Sequence, residues 1–159
     1  MLSRHRRPIS LSWTAIDLPV QADVETLATL YPKDRDRFHL FLRYPPLAQT
    51  APDAAIAPPL ATQGGLLWLE ISPHRVIMTL QGRNYQGYRH FWERGVYGRS
   101  RYWVQSDEVR CHSALCLRNF TRSLQLHTPY LPQYLHLEYE LWSGQLSLGC
   151  YQLEIDIHQ

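Results

Sequence analysis

Leu135, Leu137, Tyr139 and Leu141 alternate with His136, Glu138, Glu140 and Trp142 near the end of the chain. A period of two with one apolar side predicts a strand buried on one face and wet on the other. Ser143-Gly144 then supplies a two-residue hairpin loop. That loop sets Leu141 against Leu146, Tyr139 against Leu148 and Leu137 against Cys150. After Cys150 the apolar positions change phase to Tyr151, Leu153, Ile155 and Ile157. A slip of one residue predicts a β-bulge near Cys150-Tyr151, and bulges curl a sheet.

Alternation also gives strands at 38–44 and at 120–127, where Phe120, Arg122, Leu124 and Leu126 share one side; further strands read at 9–20, 66–71 (an apolar run), 76–80 and 101–105, with a turn at Ser72-Pro73-His74-Arg75. One segment reads differently. Val24, Leu27, Ala28 and Tyr31 fall at i, i+3, i+4 and i+7 behind Asp23 and before Pro32. That spacing predicts a short capped helix. From 45 to 65 the chain holds five prolines, six alanines and a single charge, Asp53. So many prolines predict an extended excursion rather than helix or sheet. The expected fold class is α+β, mainly antiparallel β. It is a curved sheet, sandwich or small barrel with one or two short helices, seven or so strands, and a single globular domain over 1–159. Strands do not alternate with ten-residue helices, which excludes a parallel α/β fold.

Composition narrows the class. With 159 residues, 45% hydrophobic and 19% charged, the chain can bury a core without staples. Cys111, Cys116 and Cys150 are an odd set that makes no disulfide framework, so reduced thiols and a cytoplasmic location are expected. No run approaches the ~20 apolar residues of a membrane span. The basic N-terminus, with Arg4, Arg6 and Arg7, has no unbroken apolar run behind it and is a poor secretory leader; an organelle transit segment is the alternative.

Charge and aromatic content then point to one region. Between Arg83 and Trp103 lie seven aromatics and five arginines. From 83 to 122 there are eight arginines against Glu93, Asp107 and Glu108, whereas 133–159 carries four acids and no Lys or Arg. Arg, Tyr and Trp are the residue types most enriched at recognition surfaces. The bland alternatives are that the two charged segments pair with each other, and that half of the aromatics are core.

Catalytic and metal motifs are missing. Cys111-His112-x3-Cys116 lacks the second pair that a structural zinc site needs. Adjacent Cys and His on a strand point to opposite faces and make no dyad. There is no nucleophile elbow and no phosphate-cradling glycine loop. The expectation is a non-enzymatic accessory, assembly or regulatory protein without cofactor or metal. It docks on a protein partner in a larger complex through Arg89, Phe91, Trp92, Arg94, Tyr97, Arg99 and Arg101. One alternative has the rings line a lipocalin-like cavity for a hydrophobic or planar small molecule. Another has them stack on single-stranded nucleic acid, against which the near-neutral chain and lack of lysine clusters count.

Overall fold

Inward and outward positions alternate along most strands of the computed structural model, which describes residues 3–17, 21–44, 65–82, 87–104 and 113–159. Ten strands follow one another in chain order: β1 (His5–Ala15), β2 (Gln21–Pro32), β3 (Phe38–Tyr44), β4 (Gly65–Ile71), β5 (Arg75–Gly82), β6 (Gly87–Glu93), β7 (Tyr97–Val104), β8 (Ser113–His127), β9 (Tyr134–Ser143) and β10 (Leu146–Ile157). Each pairs antiparallel with the next, and β1 pairs with β10, so the sheet closes into an up-and-down barrel with no free edge. Closure removes the unpaired backbone groups that an open sheet leaves at its margins. The described residues form no helix, so the fold is all-β rather than α+β, and the strand count is ten rather than seven.

The segment expected to be helical is β2. Ala22, Val24, Ala28 and Leu30 point inward, whereas Leu27, placed on the apolar helix face by its spacing, is 49% exposed. Ala28 fits both periods, so the local pattern is ambiguous. Backbone ladders to β1 and β3 decide it, aided by the β-branched Val24, Thr26 and Thr29. The strand predicted to begin after Pro8 begins at His5, and Pro8 O accepts a bond from His158 N at 2.9 Å. The basic N-terminal stretch from His5 onward is therefore barrel wall. The 45–65 excursion lies outside the described residues up to Gly65, as does the Cys111-His112 pair.

The C-terminal hairpin forms, with its register displaced. Ser143 pairs with Leu146, so the loop is Gly144-Gln145. The bulge sits between Ser147 and Gly149, two residues before its expected place, and Tyr139 faces Tyr151 instead of Leu148. Gly149 (φ 109°) supplies the left-handed backbone that this irregularity demands. A second bulge, between Thr121 and Ser123, reverses the facing of β8. Unbroken alternation over 120–127 would put Phe120 and Arg122 on the same face as Leu124. Instead Asn119 and Thr121 point inward before the bulge and Leu124 after it.

The lumen is a core. β1–β5 and β10 line it chiefly with aliphatics such as Leu11, Leu30, Leu40, Leu69 and Ile155. β6–β8 line it instead with Tyr88, His90, Trp92, Ser100, Asn119 and Thr121, all fully buried. Charged side chains stand on the outer wall, the reverse of a barrel whose apolar belt faces lipid. No helix of the described residues is long and apolar enough to cross a membrane.

Candidate functional site: an arginine and aromatic wall

The predicted docking segment is divided by the turn Arg94-Gly95-Val96, where Val96 N donates to Glu93 O and Gly95 adopts φ 77°. β6 and β7 thus lie side by side. Alternation along each strand sends one set of side chains inward and the other outward. Arg89, Arg94, Arg99 and Arg101 are exposed, Tyr97 is 57% exposed, and Phe91 is half-buried on the outer wall. Trp92 faces the opposite way. It is 0% exposed, stacked on His90 with ring centroids 4.7 Å apart, and 4.9 Å from the Tyr139 ring. A fully enclosed ring offers no surface to a macromolecule, so Trp92 is a core residue and leaves the docking set.

Pairing of β7 with β8 adds residues that sequence reasoning missed. Arg99 faces Arg118, Arg101 faces Cys116, and Tyr97 faces Phe120. Arg89 faces Arg101 from the other side. The Tyr97 and Phe120 rings meet at 4.9 Å, and the Arg118 guanidinium lies 4.6 Å from the Tyr97 ring centroid. Arg75 sits 5.5 Å over Phe91. Arg99, Cys116 and Arg118 open onto a groove of about 460 Å³ bounded by Gly144 and Gln145 of the β9–β10 loop. The regular spacing Cys116, Arg118, Phe120 was the available signal, but the β8 bulge hid its direction.

Among the described residues, the expected pairing between basic and acidic segments occurs at one arginine only. Arg122 Nε donates to Glu140 Oε1 at 2.8 Å, and its guanidinium also lies 3.9 Å from Glu138. Among the described residues, Arg89, Arg99 and Arg101 have no carboxylate within ion-pair distance. Two pairs of like charges, Arg89–Arg101 and Arg99–Arg118, therefore stand directly opposite each other on neighbouring strands. Such pairs weaken a sheet. Replacing Arg99 and Arg101 together with threonine should raise stability by about 0.5 kcal/mol. A urea melt checks this; a loss of a kcal/mol would mean that the arginines hold the wall together.

Inside the barrel, behind this wall, lies a second polar cluster that the sequence did not reveal. Asn119 Nδ2 donates to Ser100 Oγ at 2.8 Å, Ser100 Oγ lies 2.7 Å from His90 Nδ1, and Tyr102 Oη lies 3.2 Å from His90 Nε2. Burial holds the His90 imidazole down at about 3, so it is neutral, with one ring nitrogen donating and the other accepting. Burial also pushes the Tyr102 and Tyr139 phenols well up. Trp13 Nε1 donates to Tyr139 Oη at 3.1 Å, and the Trp13 ring contacts the Tyr88 and His90 rings at 5.8 and 5.6 Å. Trp13 belongs to β1, Tyr88 and His90 to β6 on the far wall, and Tyr139 to β9, so side chains bridge the lumen at this level. Ser100 and His90 have the contact of a nucleophile and base, but both are 0% exposed and no substrate reaches them as they stand. No group of three or more His, Cys, Asp or Glu among the described residues could hold a metal ion.

No family model matches the chain, and no curated protein matches it. Among solved structures it is similar to the crystal structure of the ywiB protein from Bacillus subtilis, with a TM-score of 0.57 and 10% sequence identity over 99% of this chain and 94% of that one. At that identity the likeness concerns the fold.

Proposed function

We propose that this chain is a non-enzymatic, cytoplasmic accessory factor that docks on an acidic segment of a protein partner through the outer wall of β6–β8. The observation that carries the reading is the pair of cross-strand arginine couples, Arg89–Arg101 and Arg99–Arg118, which have no carboxylate in ion-pair distance among the described residues and lie beside the exposed Tyr97. Uncompensated like charges cost sheet stability and gain a return only when an anionic surface covers them. Arginine forks suit carboxylates, and the Tyr97–Phe120 rings supply a rigid apolar anchor with little rotamer entropy to lose. Cys116 and Cys150 are free thiols, consistent with a reducing compartment. The ring contacts that bridge the lumen favour the outer wall over a lipocalin-like interior as the recognition surface.

Position-specific cross-linking tests the reading. Cys116 is exposed in the middle of the wall, opposite Arg101. In a chain whose other cysteines are serine, a thiol-to-amine cross-linker at Cys116 should capture one polypeptide, joined beside an acid-rich stretch. A control cysteine placed at Ser12, on the outward side of β1, should not. Equal capture from both positions, or capture that survives Arg99→Glu with Arg101→Glu, would sink the proposal.

A further inference from the structure

A second cationic site stands on another part of the barrel and belongs to no feature used so far. Arg4, Arg6 and Arg43 line one open groove of about 510 Å³ on the outside of β1–β4. Its remaining lining is chiefly apolar, with Leu27, Phe41 and Leu66 foremost. The register explains the assembly. Arg6 faces Thr29, Thr29 faces Phe41, and Arg43 faces Leu66, so three consecutive pairings carry outward side chains into the same depression. Leu27 and Leu66 are 49% and 41% exposed. Large aliphatics at that exposure on a barrel whose apolar face points inward lack a core function. Among the described residues no carboxylate pairs with Arg4, Arg6 or Arg43.

We infer that this groove binds an amphiphilic organic anion: an acidic head group on an aliphatic body. Guanidinium groups recognise carboxylate and phosphate oxygens through paired N–H donors, which selects the head. Leu27, Leu66 and Phe41 cover the body, and removing their surface from water together with the ligand's supplies the non-directional part of the attraction. The volume falls within the roughly 300–1,000 Å³ of small-ligand sites. The basic N-terminal residues Arg4 and Arg6 acquire a role here that the sequence alone did not assign. Both sources of such a chemistry, a free fatty acid and an anionic lipid in a bilayer, present the same head and chain.

Amide chemical shifts of the isotopically labelled full chain, titrated with decanoate below its aggregation concentration, test the site. Saturable shifts around Arg6, Thr29, Phe41 and Leu66 are expected. Decanol, which lacks the head, and acetate, which lacks the body, should bind at least tenfold more weakly. Arg6→Ser with Arg43→Ser should weaken decanoate binding at least tenfold while the rest of the spectrum stays in place. Arg99→Ser with Arg101→Ser, on the other wall, should leave decanoate binding unchanged, which separates this site from the proposed docking surface. Phosphatidylglycerol vesicles identify the source: broadening that needs Arg6 and Arg43 in addition to decanoate binding assigns bilayer lipid, and decanoate binding alone assigns the free acid. Shifts centred on lumen residues such as Trp13, equal weakening by both pairs of variants, or no saturable shift would overturn the inference.

Discussion

Trp92→Ala should destabilise the barrel by about 3–5 kcal/mol, the cost of deleting a large enclosed ring and leaving a cavity behind. Trp92 is 0% exposed, lies nearly parallel to the His90 ring (3° between planes), and packs on Tyr139 from β9. Its loss therefore loosens the contact between β6 and β9 as well as the stack with His90. Arg94, two residues on and exposed in the turn, should tolerate alanine within about 0.5 kcal/mol. Urea denaturation of the two variants measures the contrast. Similar small losses at both positions would show that Trp92 is not enclosed in solution.

Acid should destabilise the protein through His90. Burial holds its imidazole at about 3 in the folded state, against an ordinary value of 6.5. Between those values the unfolded chain takes up a proton at this residue and the folded chain does not. Stability is thus fully present above about pH 6.5 and falls as the pH drops toward 3. The slope approaches roughly 1.4 kcal/mol per pH unit in the middle of that window. His90→Gln keeps a polar side chain beside Ser100 and Tyr102 while removing the titration. Stability curves of the two proteins, superimposed at pH 7.5, should have different slopes between pH 6 and 4, with the wild type the steeper. Parallel curves would mean that water reaches His90 and that its imidazole charges without opening the barrel.

Much of the barrel was legible in the sequence where one face is aliphatic and the other polar. β3 and β9 were found for that reason, since Leu40 and Leu137 each sit in a period of two, whereas β4 and β5 were found as short apolar runs, 66–71 and 76–80, on either side of a turn. β2 was misread because Ala28 and neighbouring apolar residues satisfy a helical period as well, and only the ladders to β1 and β3 separate the two. β6 escaped notice because its inward residues, Tyr88, His90 and Trp92, are as amphipathic as its outward ones, so alternation carries no contrast. The bulges were only half legible. The phase change after Cys150 announced one, but its place depends on Gly149, whose backbone freedom leaves no mark on hydropathy.

The recognition wall was legible in composition and not in geometry. Arg89, Phe91, Arg94, Tyr97, Arg99 and Arg101 were named from the density of arginine and aromatics, and they share the outer wall. Trp92 was named with them because density ignores the side to which a residue points. Arg118 and Phe120 were missed because they arrive from β8 by pairing, at a separation in sequence that no local pattern spans. The buried chain from Asn119 through Ser100 to His90 was missed for the same reason, its members coming from three strands.

We propose above all that the arginine wall of β6–β8 holds an acidic protein partner. Native mass spectrometry of the chain recovered from its own host at low salt, beside the Arg99→Glu, Arg101→Glu variant, tests it most directly. The expected species is heavier than 18.7 kDa by one polypeptide and is absent for the variant, which should itself appear as an intact folded monomer. A bare 18.7 kDa chain from the wild type, or a complex indifferent to the two charge reversals, would contradict it.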